Sequence, residues 1–480
     1  MKISVVIVNY NGEKYIRECV DSVLKSVEVS FEVVVVENGS SDGSLGLLKK
    51  KYGGSKKVRI VVSCENKFFA GGSNLGAREA KGEWLVFLNS DTVVQKSWLK
   101  ELWGQAEGNK KLMLQPKILT YKSSKIDCVA GKYLWPGFGV AVGRGQEDRG
   151  QFGEIIRGEY ANGTCLMVNK EWFFDLGGFD EWYKYFYEDV DLQLRAKRLG
   201  GSAVGVMKSV IEHKGSLSFN QNVASDEVVF YYRRNRLVTV LKNFSGGERW
   251  LRWGLLVGVS LVSGRLKMSV KAMLMSLDWL MGEVFVRMRL REARQVVKKK
   301  SIQWLDLGCG DGKLVKMANE WGIKAMGIDE KKGEKIEAYE ANRKYEVISM
   351  YHVLEHIKDP VKQLKRIKKW LKPGGVLVLE VPLTGNLSEK WLKKDYLAYW
   401  DKTHVNFWTK DEFLKVINKA GYKVIRKGLV WHQVFFHNIT AKLGRGVGQV
   451  FVGVLLWPWL KLLSIFGFND EMMRVYLIKV

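Results

Sequence analysis

Two blocks of short apolar runs, separated by a stretch of different character, organise the chain. Over residues 1 to about 245, β-branched runs alternate with amphipathic stretches, the clearest runs being Val5–Val8, Glu32–Val36, Val58–Val62 and Trp84–Leu88. This alternation predicts an α/β domain on a largely parallel sheet, because a strand covered on both faces reads as a continuous apolar run. A second block starts at Ile302, with strands expected at Trp304–Leu307, Ala325–Ile328, Glu346–Met350 and Val376–Val381. A last strand is expected over Met472–Val480. Between the blocks, residues 249–290 interleave Trp, Leu, Val and Met with Arg and Lys, and a basic run ends in Lys298-Lys299-Lys300. The division this predicts is a domain over 1–245, an amphipathic, basic helical linker over 246–300 and a second domain over 301–480.

Two apolar segments bear on membranes. Residues 253–264 are about a dozen long where a crossing takes about 20, and Arg265, Lys267 and Lys271 follow at once, so an amphipathic helix lying in the interface fits better. The segment Val447–Phe468, the core of an apolar insertion at about 438–468, is long enough to cross but contains Pro458 and Lys461. If the last strand pairs with Tyr422–Lys427, both ends of that insertion lie on one side, which excludes a single crossing. Peripheral attachment is the expectation.

Charge and cysteine usage sharpen this. The 480 residues carry a net charge of +26, which calls for an anionic partner: nucleic acid, an acidic lipid surface or a phosphorylated substrate. Each Lys or Arg beside an anionic membrane contributes roughly 1 kcal/mol. The five cysteines (Cys19, Cys64, Cys128, Cys165 and Cys309) are odd in number and form no CxxC pair, as in reduced compartments. The run Ile3–Val8 is too short for the apolar core of a secretion signal. A cytoplasmic location, peripheral on the inner face of the cell membrane, is therefore expected.

Candidate chemistry in the first block lies at strand ends, where ligands dock in open α/β sheets. The run to Asn9-Tyr10-Asn11-Gly12 is a strand entering a turn, and Glu37-Asn38, followed by Asp42, ends a second strand in polar groups suited to a base and ribose. Asn11 and Asp42 also suit turns for purely local reasons. Phe69-Ala-Gly71-Gly72-Ser73-Asn74-Leu-Gly76 predicts a close-approach glycine turn, and Asn89-Ser90-Asp91 places one carboxylate just past a buried strand. A hard divalent cation shared with a diphosphate needs such an oxygen ligand. Gly177-Gly-Phe-Asp180 then precedes Glu188-Asp189-Val-Asp191, acids that open a helix and offer a general base.

With these motifs in this order, residues 1 to about 245 resemble the GT-A fold, family 2 glycosyltransferases, above all the rhamnosyltransferase-type members with GGxN and EDVD signatures. The resemblance implies inverting transfer from a nucleoside-diphosphate sugar to a glycan or lipid-linked saccharide, with Asp189 as base supported by Glu188. It implies Mg2+ or Mn2+ on Asp91 and His213, and nucleotide-sugar contacts from Asn9, Tyr10, Asn11, Glu37, Asn38, Asp42, Gly72 and Asn74. Glu37 stands where the family usually has Asp, Asn89 replaces the first acid of DxD, and Ser73 replaces a common Asn.

In the second block, Asp306-Leu-Gly308-Cys-Gly310-Asp-Gly312 is a strand, a glycine turn and a helix start, with Asp329 at the end of the next strand. Leu354-Glu355-His356 with Asp359-Pro360, and Leu371-Lys-Pro373-Gly374-Gly375, follow. Residues 302–480 thereby resemble class I S-adenosylmethionine methyltransferases with a Rossmann-like fold. The resemblance implies that Asp306, Gly308 and Gly310 line the methionine end of the cofactor and that Asp329 holds the ribose. The stretch from Asp329 to Tyr345 is short where relatives carry a helix, a strand and an adenine-contacting acid. His356 and His404 offer either bases for an acceptor hydroxyl or structural histidines.

The expected whole is a glycosyltransferase coupled to O-methylation of a saccharide. The alternatives are a glycosyltransferase with a degenerate methyltransferase domain, and a nucleic-acid-binding methyltransferase. Against the last, the (Asp/Asn)-Pro-Pro-(Tyr/Phe) motif is absent and half the chain would go unexplained, so no nucleic-acid partner is expected.

Overall fold

The computed structural model describes residues 2–215, 225–263, 265–297, 299, 301–330, 333, 335–385, 389–390, 399, 401–428 and 472–480. The apolar segment 447–468 lies outside these residues. The chain divides into two compact units, Met1–Leu280 and Met281–Val480. The boundary falls within the helix Leu266–Val297.

The first unit is built on a ten-stranded sheet. In chain order its strands are β1 (Ile3–Asn9), β2 (Phe31–Asn38), β3 (Val58–Ser63), β4 (Trp84–Asn89), β5 (Thr92–Val94), β6 (Leu112–Thr120) and β7 (Ile126–Cys128), and then β10 (Ile155–Gly158), β11 (Cys165–Asn169) and β12 (Ser202–His213). A separate hairpin joins β8 (Ala130–Leu134) to β9 (Phe138–Val142). The main order is β10-β12-β6-β11-β4-β1-β2-β3. Strands β1 to β4 run parallel where neighbours, as their apolar runs predict, and β2 is buried at every position. Beyond β4 the sheet is mixed: β11 is antiparallel to both β4 and β6, whereas β6 and β12 are parallel.

The glycine turn expected at 69–76 is instead part of a helix, Phe68–Glu79. Its glycines serve packing. A Cβ on Gly76 would lie 2.4 Å from Val6 Cγ1 and 2.9 Å from Val36 Cγ2, and one on Gly72 would lie 2.7 Å from Val8 Cγ1. The bare face lets the helix settle onto the valines of β1 and β2, at a propensity cost of about 1 kcal/mol per glycine.

Helices Ser225–Asn243 and Gly246–Val262 complete this unit with the first part of Leu266–Val297. Tyr160, Tyr183, Tyr187, Val238, Leu241 and Trp279 form one buried cluster among them. Helix Gly246–Val262 buries Leu256 and Ser260 but exposes Leu251 (58%), Leu255 (39%), Val259 (43%) and Val262 (87%). Among the described residues, no helix is long and apolar enough to cross a membrane.

The second unit holds a six-stranded sheet, β14-β13-β15-β16-β18-β17. Its strands are β13 (Gln303–Leu307), β14 (Lys324–Ile328), β15 (Tyr345–Tyr351), β16 (Leu371–Pro382), β17 (Tyr422–Gly428) and β18 (Met472–Lys479). Strands β13 to β16 are parallel, and β18 is antiparallel to both β16 and β17. The end of helix Leu266–Val297 belongs to this core, with Leu290 and Ala293 fully buried against Trp304 and Tyr476. Buried Arg474 donates to Glu380 (2.5 Å) and to Glu292 (2.8 Å), and Tyr476 also donates to Glu292. Pairing of this kind makes a buried charge tolerable.

Candidate active site

At the carboxyl ends of β1, β2 and β4 the first unit opens into a cleft of about 530 Å³, lined among others by Tyr10, Asn38, Asp91, Asp127, Glu188, Asp189 and His213. Asp91 follows β4 directly and is 2% exposed. The antiparallel register of β5 with β12 sets Thr92 opposite His213, and Lys214 N donates to Asp91 O, so the two side chains meet. His213 Nε2 lies 3.4 Å from Asp91 Oδ1, and its Nδ1 lies 2.9 Å from Asp127 Oδ2. Burial pushes the His213 imidazole down, but the carboxylates of Asp127 and Asp91 outweigh it and hold its pKa up at about 9. These residues fit a divalent ion. His213 Nε2 is buried without a hydrogen bond, beside a carboxylate, and Asp127 orients the ring from its far nitrogen as partners of metal-bound histidines do.

The same cleft is also lined by the start of helix Glu188–Arg198. Asp189 Oδ2 accepts from Gly163 N and its Oδ1 from Val190 N, both at 2.8 Å. Glu188 is 6% exposed, and its Oε2 has no hydrogen bond. Burial raises both carboxyls, Glu188 the further because Asp189 is beside it. The backbone donors favour the charge on Asp189, so of the two carboxyls Glu188 holds a proton the more strongly. Asp191 is different: Lys242 (2.8 Å), Arg195 (2.9 Å) and Asn243 (2.9 Å) surround it. Burial alone would raise its pKa, but the two cations outweigh that and lower it.

The approach to this helix is strained. Lys184, Phe186 and Tyr187 all have positive φ (63°, 64° and 67°), at a cost on the order of 1 kcal/mol each for residues with a Cβ. Buried Asn235 donates to the carbonyls of Tyr183, Tyr185 and Phe186, while Arg234 donates to those of Trp182 and Tyr183. Helix Ser225–Asn243 thus clamps the turn that aims the acids.

Of the residues read as nucleotide-sugar contacts, Tyr10 and Asn38 line the cleft. The others hold the loops beneath it. Asn9 Nδ2 donates to Glu37 Oε2 (2.7 Å), Glu37 Oε1 accepts from Ser40 N, and Asn11 Oδ1 accepts from Ser41 N. Asp42 accepts from the amides of Glu13 and Ser44. Gly72 packs on Val8, and Asn74 is hydrogen-bonded to Phe179 and Glu181. Sequence reasoning missed Asp127, Arg144, Arg234 and Asn235. Arg144, 75% exposed, lines the cleft 3.6 Å from Asp127. None of the four sits in a motif; the only signal was polar side chains within an aromatic-rich helix for Arg234 and Asn235.

In the second unit the glycine turn after β13 places its residues together. Gly308 and Gly310 have φ of +77° and +54°, and a Cβ on Gly308 would lie 2.2 Å from Val353 Cγ2. Gly308 N donates to Ile328 O (2.7 Å), and Gly310 N to Asp329 Oδ2 (2.7 Å). Asp306 accepts from Ser349 Oγ between β13 and β15. A backbone cradle this bare, with a carboxylate at the next strand end, fits S-adenosylmethionine. Between Asp329 and Tyr345 there is no strand among the described residues, and a cavity of about 540 Å³ there is lined by Ile328, Tyr339, Glu340 and Arg343. The His356 and His404 rings lie 4.7 Å apart, beyond the end of β15.

Fold and sites thus define a protein of two transferase modules in one chain. Residues 4–173 match the model of glycosyl transferase family 2, and residues 283–427 match that of a methyltransferase domain family. The chain carries a family 2 glycosyltransferase domain of GT-A fold followed by a Rossmann-like, class I methyltransferase domain. It is similar to the glycosyltransferase GlyG of Streptococcus pneumoniae serotype 4, 31% identical over 105 residues, covering 22% of this chain and 35% of that protein. The O-antigen biosynthesis protein RfbC of Myxococcus xanthus is 27% identical over 239 residues, 45% of this chain and 18% of that one. Among solved structures, S. aureus TarS 1-349 in complex with UDP-GlcNAc is 19% identical with a TM-score of 0.40, covering 57% of this chain and 79% of that one. The matches therefore span about a third or less of the two curated relatives.

Raised by burial, the Glu188 carboxyl contributes stability that is full below its unfolded pKa and is lost as pH rises toward its folded one. Glu188→Gln removes that dependence. The variant is expected to gain more in melting temperature over wild type at pH 8 than at pH 5. An equal difference at both would show that Glu188 ionises normally.

Proposed function

We propose that the first unit is an inverting glycosyltransferase that moves a sugar from a nucleoside-diphosphate donor to the hydroxyl of a glycan or lipid-linked saccharide. One observation carries this: Asp91 with His213, and Asp189 with Glu188, line the same cleft. Asp189 takes the acceptor's proton as the acceptor oxygen attacks the anomeric carbon. The bond from that carbon to the diphosphate breaks, its electrons leave with the diphosphate, and the configuration inverts. Protonated Glu188 leaves the negative charge on Asp189, where the proton is needed. Asp91 and His213 would hold Mg2+ or Mn2+, which when bound offsets charge on the leaving diphosphate. Arg144 adds a cation to the same cleft, and Tyr10 and Asn38 face the nucleotide.

The second unit, on this reading, methylates a saccharide hydroxyl. Asp306, Gly308, Gly310 and Asp329 hold S-adenosylmethionine, whose sulfonium supplies the methyl group. Carrying both activities on one chain raises the effective concentration of one unit's product at the other. Among the described residues no strand lies between Asp329 and Tyr345, which favours the second reading, a methyltransferase domain without activity. The two are separated by cofactor binding.

The reciprocal test uses two variants. Asp189→Asn is expected to lower sugar transfer by about 10²- to 10⁴-fold while leaving methyl transfer and S-adenosylmethionine affinity unchanged. Gly308→Val, which drives a side chain into Val353, is expected to do the reverse. Nucleoside diphosphate release from a panel of nucleotide sugars and calorimetry with S-adenosylmethionine read the two. Full transfer in Asp189→Asn sinks the base assignment, and absence of S-adenosylmethionine binding in wild type sinks the methyl-transfer reading.

For location, we infer attachment to the inner, anionic face of the cell membrane. The exposed Leu251, Leu255, Val259 and Val262 on one helix and the net charge of +26 support it. The double variant Leu251→Glu, Leu255→Glu should no longer float with vesicles containing anionic phospholipid. Unchanged flotation would contradict attachment through this helix.

A further inference from the structure

The second unit holds a cluster of side chains that neither sugar transfer nor cofactor binding uses. Residues 354–356 form a short turn just beyond β15, and the loop 401–408 is hydrogen-bonded onto it: Val405 N (3.0 Å) and Asn406 N (3.1 Å) both donate to Glu355 O, and Asn406 Nδ2 donates to Ile357 O. This pinning brings His404 to His356 across nearly fifty positions of chain. One ligand atom from each of Glu355, His356 and His404 lies within 4.8 Å of the others.

Glu355 is the informative member. Its side chain is 0% exposed, yet neither carboxylate oxygen has a hydrogen bond, and the nearest charged neighbour is His352 Nδ1 at 3.5 Å. An ionised carboxylate left that way in a protein interior is costly, and a cation is one of the few things that relieves it. The surroundings of His356 also prepare it as a ligand. Thr403 Oγ1 has a single proton, which it donates to Asp401 Oδ1, so toward His356 Nδ1, at 2.9 Å, it accepts. That fixes the proton on Nδ1 and leaves the Nε2 lone pair free, as the outer partners of metal-bound histidines do.

We propose that Glu355, His356 and His404 form a binding site for a divalent transition metal of the Zn2+ type. Two imidazoles and one carboxylate are the ligand set of zinc sites that keep an open position. Bonds of about 2.0–2.2 Å require the three atoms to draw together slightly from their present spacing. The open position lies beyond the end of β15, neighbour of the strand that carries the cofactor turn, and suits an oxygen of the methyl acceptor. That last point rests on the methyl-transfer reading; ion binding does not.

The test uses the full chain with Asp91→Asn and His213→Asn, which silences the first unit's metal site, and titrates it with Co2+ as a spectroscopic stand-in for Zn2+. The expected result is one bound equivalent with visible d–d bands, displaced by Zn2+. Added Glu355→Gln or His404→Asn should weaken binding by about 100-fold or more. S-adenosylmethionine affinity, measured by calorimetry on each variant, shows that the unit is folded. No bound Co2+, or binding indifferent to both substitutions, overturns the site. Cobalt binding without S-adenosylmethionine binding would uphold the metal site while the methyl-transfer reading fails.

Discussion

Three carboxylates clustered at the start of one helix are the constraint around which the first unit is arranged. Helix Glu188–Arg198 opens with Glu188 and Asp191, both buried, and with half-buried Asp189 between them, and charge in such a place must be matched or suppressed. Each acid meets a different solution. Asp191 is neutralised by Lys242 and Arg195, which ties the helix to its neighbour Ser225–Asn243. Asp189 is held by backbone amides, while burial beside Asp189 raises the pKa of Glu188 and so disfavours a second charge. The polarity of the helix end, where unpaired N–H groups point outward, favours negative charge there as well.

Reactivity follows from that arrangement. A carboxylate fully satisfied by cations, like Asp191, is a poor base, whereas one whose charge is supported only by two amides remains available to an incoming hydroxyl. The same neighbour helix that neutralises Asp191 supplies Asn235 and Arg234, which hold in place the turn 182–187 with its positive-φ residues Lys184, Phe186 and Tyr187. Structural and chemical roles are thus divided between adjacent acids by what each is bonded to.

Much of this was legible in the sequence, for identifiable reasons. Strands β1, β2 and β4 read as continuous apolar runs because both their faces are buried, and Asp91 was visible because it stands directly after one of them. The last strand, Met472–Lys479, was also readable, and its pairing with Tyr422–Gly428, only a condition in the sequence reading, is present in the sheet. The glycines at 71–76 misled because glycine is read as turn punctuation, while here its missing side chain lets a helix approach the sheet. Asn9, Glu37 and Asp42 are polar groups at or just past strand ends in both readings; only coordinates show that Asn9 and Glu37 are bonded to each other and that Asp42 accepts from helix-start amides. Asp127 had no signal at all, since it meets His213 across 86 positions through the register of β6, β7 and β12.

The account stands on one cleft in which departing phosphates and an incoming alcohol meet opposite walls. Its most direct test is anomalous diffraction from crystals soaked with Mn2+ and a nucleoside diphosphate. The account predicts a manganese peak bonded to Asp91 and His213, with the diphosphate in the same cleft and the Asp189 carboxylate facing it from the other side. A manganese peak away from both residues, or a diphosphate bound outside the cleft, would contradict it.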